Sequence, residues 1–132
     1  MRVLQFAFGG DNRNAYLPHN HERNSVVYAG THDNNTAIGW WQEASEAERA
    51  HVRAYFGVDG HDIAWDLIRA CCASVADTAI HPLQDVLGLD GAHRMNLPGV
   101  GEGYWEWRFS WEQVRPEHAE RLRQLCSLYG RG

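Results

Sequence analysis

The sequence predicts an α/β fold made of parallel β/α units, on three observations. Its elements run strand, strand, helix, helix, strand, helix, an order typical of β/α repeats rather than of a sandwich. Its first two strands are continuous apolar runs, as strands covered on both faces are. The segment from Ile63 to Asp77 is apolar almost all round, so it expects neighbours on more than one side. Two or three parallel strands neither close a barrel nor bury both faces by themselves. The chain is therefore expected to form part of a larger domain.

Val3 to Phe8 reads as the first strand, ended by the turn-forming Gly9-Gly10-Asp11-Asn12. A loop continues through Tyr16-Leu17-Pro18-His19-Asn20 to about Asn24, and Val26 to Thr31 is the second strand. After Asp33 the chain is polar until Gly39-Trp40-Trp41. Ser45-Glu46-Ala47-Glu48 has the pattern of a capping box, Val52, Tyr55 and Phe56 supply an apolar face, and Gly57 is a natural stop. The helix from Ile63 to Asp77 follows. Thr78-Ala79-Ile80 then leads into Pro82 to Leu89, read as a strand with a turn or a strand with a short helix. His93 to Gly103 is irregular and rich in glycine, whereas Tyr104 to Phe109 alternates polar and aromatic residues and reads as extended. Ser110 and Gln113 have cap spacing, and Pro116 to Tyr129 is the closing helix, followed by Gly130.

Length and composition bound the function. At 132 residues the chain makes one domain at most. Its net charge is −5, every basic residue is Arg, and no basic patch stands out, so neither nucleic acid nor an anionic membrane is favoured as partner. No apolar run approaches the length of a membrane span, and the start lacks a signal-peptide profile. Cys71, Cys72 and Cys126 lie in apolar helical runs and read as buried free thiols, which suits a reducing cytosol.

The most informative stretch is Thr31-His32-Asp33-Asn34, where a buried strand ends by projecting a His and an Asp from adjacent positions. The carboxyl end of a parallel strand is where α/β folds place their chemistry, so the pair suits sugar handling or acid–base work. Asp and Asn are also good turn formers, and on these residues alone a simple strand cap fits equally well. Gln84 and Asp85 follow the third strand, where a cleft-lining role and a structural one weigh evenly. Asn34 beside the pair suits a turn more than an orienting role. His19 and His21 have His-x-His spacing, but no third ligand accompanies them, so loop packing is favoured and no metal is expected. Arg94 and Asn96 read as loop braces, and Trp40 and Trp41 as packing residues.

Taken in line, Leu4-Gln5-Phe6-Ala7-Phe8, Leu17-Pro18-His19-Asn20, Val27-Tyr28-Ala29-Gly30-Thr31-His32-Asp33-Asn34 and Gly39-Trp40-Trp41 resemble the amylomaltases. These are the 4-α-glucanotransferases of glycoside hydrolase family 77, relatives of plant disproportionating enzyme. The resemblance runs on through Ala64 to Ala70, Ser74 to Asp77, Pro82-Leu83-Gln84-Asp85-Val86-Leu87-Gly88, Arg94 to Gly99 and Trp105-Glu106-Trp107-Arg108, and so covers essentially the whole chain. It implies the C-terminal part, about the last three β/α units, of a (β/α)8 TIM barrel. Val3 to Phe8, Val26 to Thr31 and the segment around Ile80 to Val86 would be the sixth, seventh and eighth strands. The N-terminal part of that barrel would lie outside these residues, and residues 1–132 would be a portion of one catalytic barrel without a second domain. Gly103-Tyr104-Trp105 departs from the family's more usual Gly-Asn-Trp, so no contact made by that Asn is carried over to this chain.

The resemblance further implies transfer of α-1,4-glucan segments between maltodextrins, with retention of configuration and without a cofactor. One carboxylate attacks the anomeric carbon while a second carboxyl group protonates the leaving oxygen. A third, paired with a His, holds sugar hydroxyls. Only this third group maps here: Asp33 as the catalytic carboxylate and His32 beside it, with Asn34, Gln84 and Asp85 as candidate substrate contacts. The nucleophile and the acid–base residue would lie upstream of Met1, so this chain alone is expected to be inactive. Two alternatives stand beside this. One is a non-catalytic carbohydrate-binding fragment with Trp105 and Trp107 as a stacking platform; the other is a different retaining α-glucan enzyme of the same clan.

Overall fold

The computed structural model describes residues 1–132. Three short strands, β1 (Arg2–Val3), β2 (Val26–Tyr28) and β3 (Thr78–Ile80), form a parallel sheet in the order β1-β2-β3. Val3 pairs with Tyr28, and Tyr28 pairs with Ile80. Five helices accompany it: α1 (Ala37–Glu43), α2 (Glu46–Phe56), α3 (Ile63–Ala73), α4 (Leu83–Val86) and α5 (Pro116–Leu128). Sequential order in a parallel sheet is that of consecutive β/α units wound in one direction.

The two sheet faces have different fates. Val27 is fully buried and Ala79 packs beside it in a cluster formed with Leu4, Leu17, Ala37, Val52, Leu67 and Cys71. Tyr28 and Ile80, one residue on, point the other way into an open cavity of about 330 Å³ that Met1 also lines. Alternation along the strand thus separates a helix-covered face from a bare one. The expected two-sided burial is met on one side only.

α3 is the hub, as its apolar circumference requires. Ile63, Ala64, Leu67, Ala70 and Cys71 face the sheet-side cluster. Trp65, Ile68 and Cys72 face a second one with Val86 of α4 and Leu125 of α5. The Arg121 guanidinium lies 4.4 Å over the Trp65 ring and ties α5 to α3. The helix stops at Ala73, four residues short of the expected end. There Arg131, beyond α5, donates to the carbonyls of Cys71, Cys72, Ser74 and Ala76. An Arg fork at a helix C-terminus satisfies orphan carbonyls and complements the helix dipole. Cys71 and Cys72 are buried free thiols, and burial pushes both thiols up from their ordinary value. Cys126 is only half-buried.

Several boundaries differ from the sequence reading. β1 ends at Val3, and Leu4–Phe6 coils into a 3₁₀ turn. The Gln5 amide still donates to the Ala29 carbonyl, but the Gln5 side chain turns away to the carbonyl of Asn35. β2 ends at Tyr28 rather than Thr31 for the matching reason: Ala29 pairs with that turn instead of with a strand. β3 is Thr78–Ile80, not the segment around Ile80 to Val86, because Pro82 lacks an N–H and opens α4. Trp40 and Trp41 lie inside α1, a helix hidden by its Gly and aromatic residues and by the absence of an acidic first turn. Thr36 caps it by accepting from the Gly39 N–H. The Ser45 cap of α2 is as expected, and Gly57 closes it at φ 65°. Tyr104 to Phe109 joins no sheet.

Candidate active site

The loop from Thr31 to Thr36 leaves the carboxyl end of β2 and enters α1. Its shape is local. The Asn34 side chain accepts from the Thr31 N–H and hydroxyl at 2.8 and 3.0 Å, which bends the chain so that His32 and Asp33 project outward. Both side chains are about half exposed, with His32 Nε2 3.4 Å from Asp33 Oδ2. The Asn34 carboxamide oxygen is therefore committed to the turn.

Long-range bonds then hold the loop. From one side, Gln5 Nε2 donates to the Asn35 carbonyl at 2.8 Å. From the other, Asp85 Oδ1 accepts from the Ala37 N–H, at the first turn of α1, at 2.8 Å. The Asn35 side chain is buried and fills space that only glycine leaves free: a Cβ at Gly39 or Gly91 would run into its carboxamide. Gly30 likewise makes room for the Gln5 amide. From above, Arg94 Nη2 donates to the Asp33 carbonyl at 3.0 Å and Asn96 Nδ2 to Asp33 Oδ1 at 2.8 Å. Trp105 closes over His32, ring centroids 5.0 Å apart, and holds φ 66°, rare for an aromatic residue.

The structure brings four of the five expected residues around one cavity: His32, Asn34, Gln84 and Asp85 line it with Tyr28, Ile80 and Arg94. Asp33 lies between His32 and Asn34. Gln84 is buried and donates to the His93 carbonyl at 3.3 Å. Asp85 is 1% exposed, and its Oδ2 has no partner. Burial pushes its carboxyl up to about 6, the Ala37 N–H opposing in part. Gln5 and Asn35 carry no role in the sequence reading, and Trp105 figures there only with Trp107 as a stacking platform. Asn96 and Arg94 read there as loop braces, and the loop they brace is that of Asp33. Each of these residues acts across many positions of chain, so no local pattern marks it.

His19 and His21 are packing residues here. His19 contacts Tyr55 Oη and the Asn12 carbonyl at 2.7 and 3.0 Å, and His21 contacts Ser74 Oγ and the Tyr16 carbonyl, both at 2.7 Å. Trp107 donates to His93 Nδ1 and lies against Phe109, whereas Trp105 lies against His32. No helix is long and apolar enough to cross a membrane.

Known proteins resemble the chain over its length. The model of glycoside hydrolase family 77, described as 4-alpha-glucanotransferase, matches residues 1–114. The chloroplastic/amyloplastic 4-alpha-glucanotransferase of Arabidopsis thaliana is 49% identical over 99% of this chain and 23% of its own. The 4-alpha-glucanotransferase of a Synechocystis strain is 48% identical over 99% of this chain and 26% of its own. The amylomaltase from Streptococcus agalactiae in complex with acarbose has a TM-score of 0.93 at 30% identity, covering 100% of this chain and 27% of its own. The chain thus spans about a quarter of the length of these relatives. Matched along nearly all its residues in sequence and superposing throughout in structure, it belongs to the 4-α-glucanotransferases of glycoside hydrolase family 77.

Proposed function

We propose that this chain is the C-terminal portion of a (β/α)8 barrel that moves α-1,4-glucan segments between maltodextrins, and that it supplies the third carboxylate of that reaction. The observation that carries this reading is the His32–Asp33 pair. It stands half exposed at the carboxyl end of a parallel strand, above an open cavity, in a loop fixed from three sides. The sequential order of the parallel strands, the bare face of the sheet and the free outer edges of β1 and β3 suit a barrel completed by further strands.

In this reading Asp33 Oδ2 and His32 Nε2 take adjacent hydroxyls of the reacting sugar. Those bonds strengthen as the ring flattens toward an oxocarbenium ion, so they stabilise the transition state more than the ground state. The attacking carboxylate and the proton donor come from strands outside these residues. Asp85 takes neither role, because it is buried and already holds Ala37. Gln84 and Asp85 shape the cavity wall, and Asn34 shapes the turn. Maltodextrins are the substrates, no cofactor is required, and the cytosol is the proposed site of action. The purified 132-residue chain should release no glucose from maltotriose. In the full-length enzyme, Asp33→Ala should abolish most turnover while maltotriose still binds; normal disproportionation by that variant would refute the assignment.

A further inference from the structure

An exposed aspartate normally samples several rotamers, because little is gained by ordering it. Asp33 is half exposed yet held through its carboxylate. Its Oδ1 accepts the Asn96 amide at 2.8 Å, a charge-assisted bond, while Oδ2 faces His32 and stays open. Arg94 secures the base of the arrangement. Its Nη2 donates to the Asp33 carbonyl at 3.0 Å and its Nε to the Asn96 carbonyl at 2.9 Å, so one guanidinium links both partners. The clamp is anchored in turn, since the Trp105 N–H donates to the Met95 carbonyl at 2.6 Å. Asn34, the polar neighbour in sequence, makes none of these bonds to the carboxylate; its carboxamide oxygen is committed to Thr31.

We propose that Asn96 is a positioning residue for glucan transfer: its amide selects the Asp33 rotamer, and Arg94 fixes the backbone beneath it, so that Oδ2 is presented to the sugar hydroxyls. This rests on the reading of Asp33 as the hydroxyl-holding carboxylate. A group that must meet a transition state in one geometry loses its effect when it is free to swing. Asn suits the role because it donates without charge, drawing one oxygen aside and leaving the other anionic.

The test is made in the full-length enzyme with maltotriose as substrate. Asn96→Ala should lower kcat about 10- to 100-fold, with KM and the melting midpoint little changed. Asn96→Asp, the same shape with a like charge facing Asp33, should lose at least as much. In an Asp33→Ala background, Asn96→Ala should cost nothing further, because Asn96 acts only through that carboxylate. Equal losses in both backgrounds would overturn the proposal, since a general loop brace behaves that way. If Asn96→Ala does not fold, Asn96→Asp decides: wild-type turnover in that variant overturns the proposal. The two levels separate cleanly. Full turnover in Asp33→Ala removes the reading of Asp33 and this proposal with it, whereas collapse there with unaffected Asn96 variants removes only the role of Asn96.

Discussion

Asp33 follows β2 and Asp85 follows β3, so two carboxylates stand near the carboxyl ends of adjacent parallel strands, and they live in opposite surroundings. Asp33 is half exposed, with one oxygen held by Asn96 and the other open beside His32. Asp85 is buried, with one oxygen on the Ala37 N–H and the other unpartnered. Asp33 lies in a loop and Asp85 in α4, and residues beyond β3 help to fix that loop. Asp85 anchors the start of α1, into which the Asp33 loop runs, while Arg94 and Asn96, beyond β3, grip Asp33 itself. Burial therefore separates a carboxylate able to meet a solute from one that organises backbone. Carboxylate identity and strand-end placement alone do not.

The comparison is broken most directly at Asp33. Asp33→Ala in the full-length enzyme should reduce kcat by about a thousandfold, the scale of losing a preorganised electrostatic contact in a transition state. Its unfolding midpoint should be unaffected. Steady-state kinetics on maltotriose together with thermal melting read both, and a large loss of stability would put Asp33 in the same structural class as Asp85.

Asp85 should answer through pH instead. Its folded carboxyl titrates near 6, above the 3.8 of an unperturbed Asp. The folded state therefore holds its proton more tightly, and the resulting stabilisation is fully present below about pH 4. It is lost as pH rises through 6. The difference between those limits is on the order of 3 kcal/mol. Asp85→Asn keeps an acceptor for Ala37 and removes the charge, so urea unfolding at pH 4 and pH 7 should show this contribution to the slope gone. Retention of the full wild-type slope would assign it elsewhere.

A packing change sharpens the contrast further. Gly39→Ala should raise helix propensity in α1, yet the new Cβ meets the buried Asn35 carboxamide. We expect a net destabilisation of about 1–3 kcal/mol, and denaturation measurements showing added stability would mean that Asn35 has room to move. The smallest effect is expected at Trp105. Replacing its exposed ring with Ala should change stability by about 0.5 kcal/mol or less and raise KM for maltotriose modestly. Complete loss of maltodextrin binding would instead favour a stacking platform as the main function of this region.

Much of the fold is legible in the residues because its signals are local or periodic. Ser45, Gly57 and Pro116 mark helix ends through their own backbone chemistry, and the apolar circumference of α3 announces neighbours on two sides before any are known. The strand ends were less legible. Continuous apolar runs suggested strands through Phe8 and Thr31, but pairing stops where Gln5 turns toward Asn35, a contact 30 positions away. α1 is hidden by its Gly and Trp residues and by a first turn without an acidic residue, where Asp85, 48 positions away, takes the Ala37 N–H beside the local Thr36 cap. The third strand, expected around Ile80 to Val86, ends at Ile80 because Pro82 lacks an N–H and opens α4.

The sequence by itself determined the parallel β/α order, the family, and the step at which a strand delivers His32 and Asp33 to a polar loop. Composition, periodicity and motif order are properties of neighbouring residues, and they survive without the fold. Only the tertiary structure decided that Asp33 is aimed and Asp85 enclosed, and that Asn96 holds the first while Ala37 occupies the second. Hydrogen bonds between residues 48 to 63 positions apart depend on which loops the sheet brings together. Their distances and burial follow from that convergence, and no local pattern encodes it.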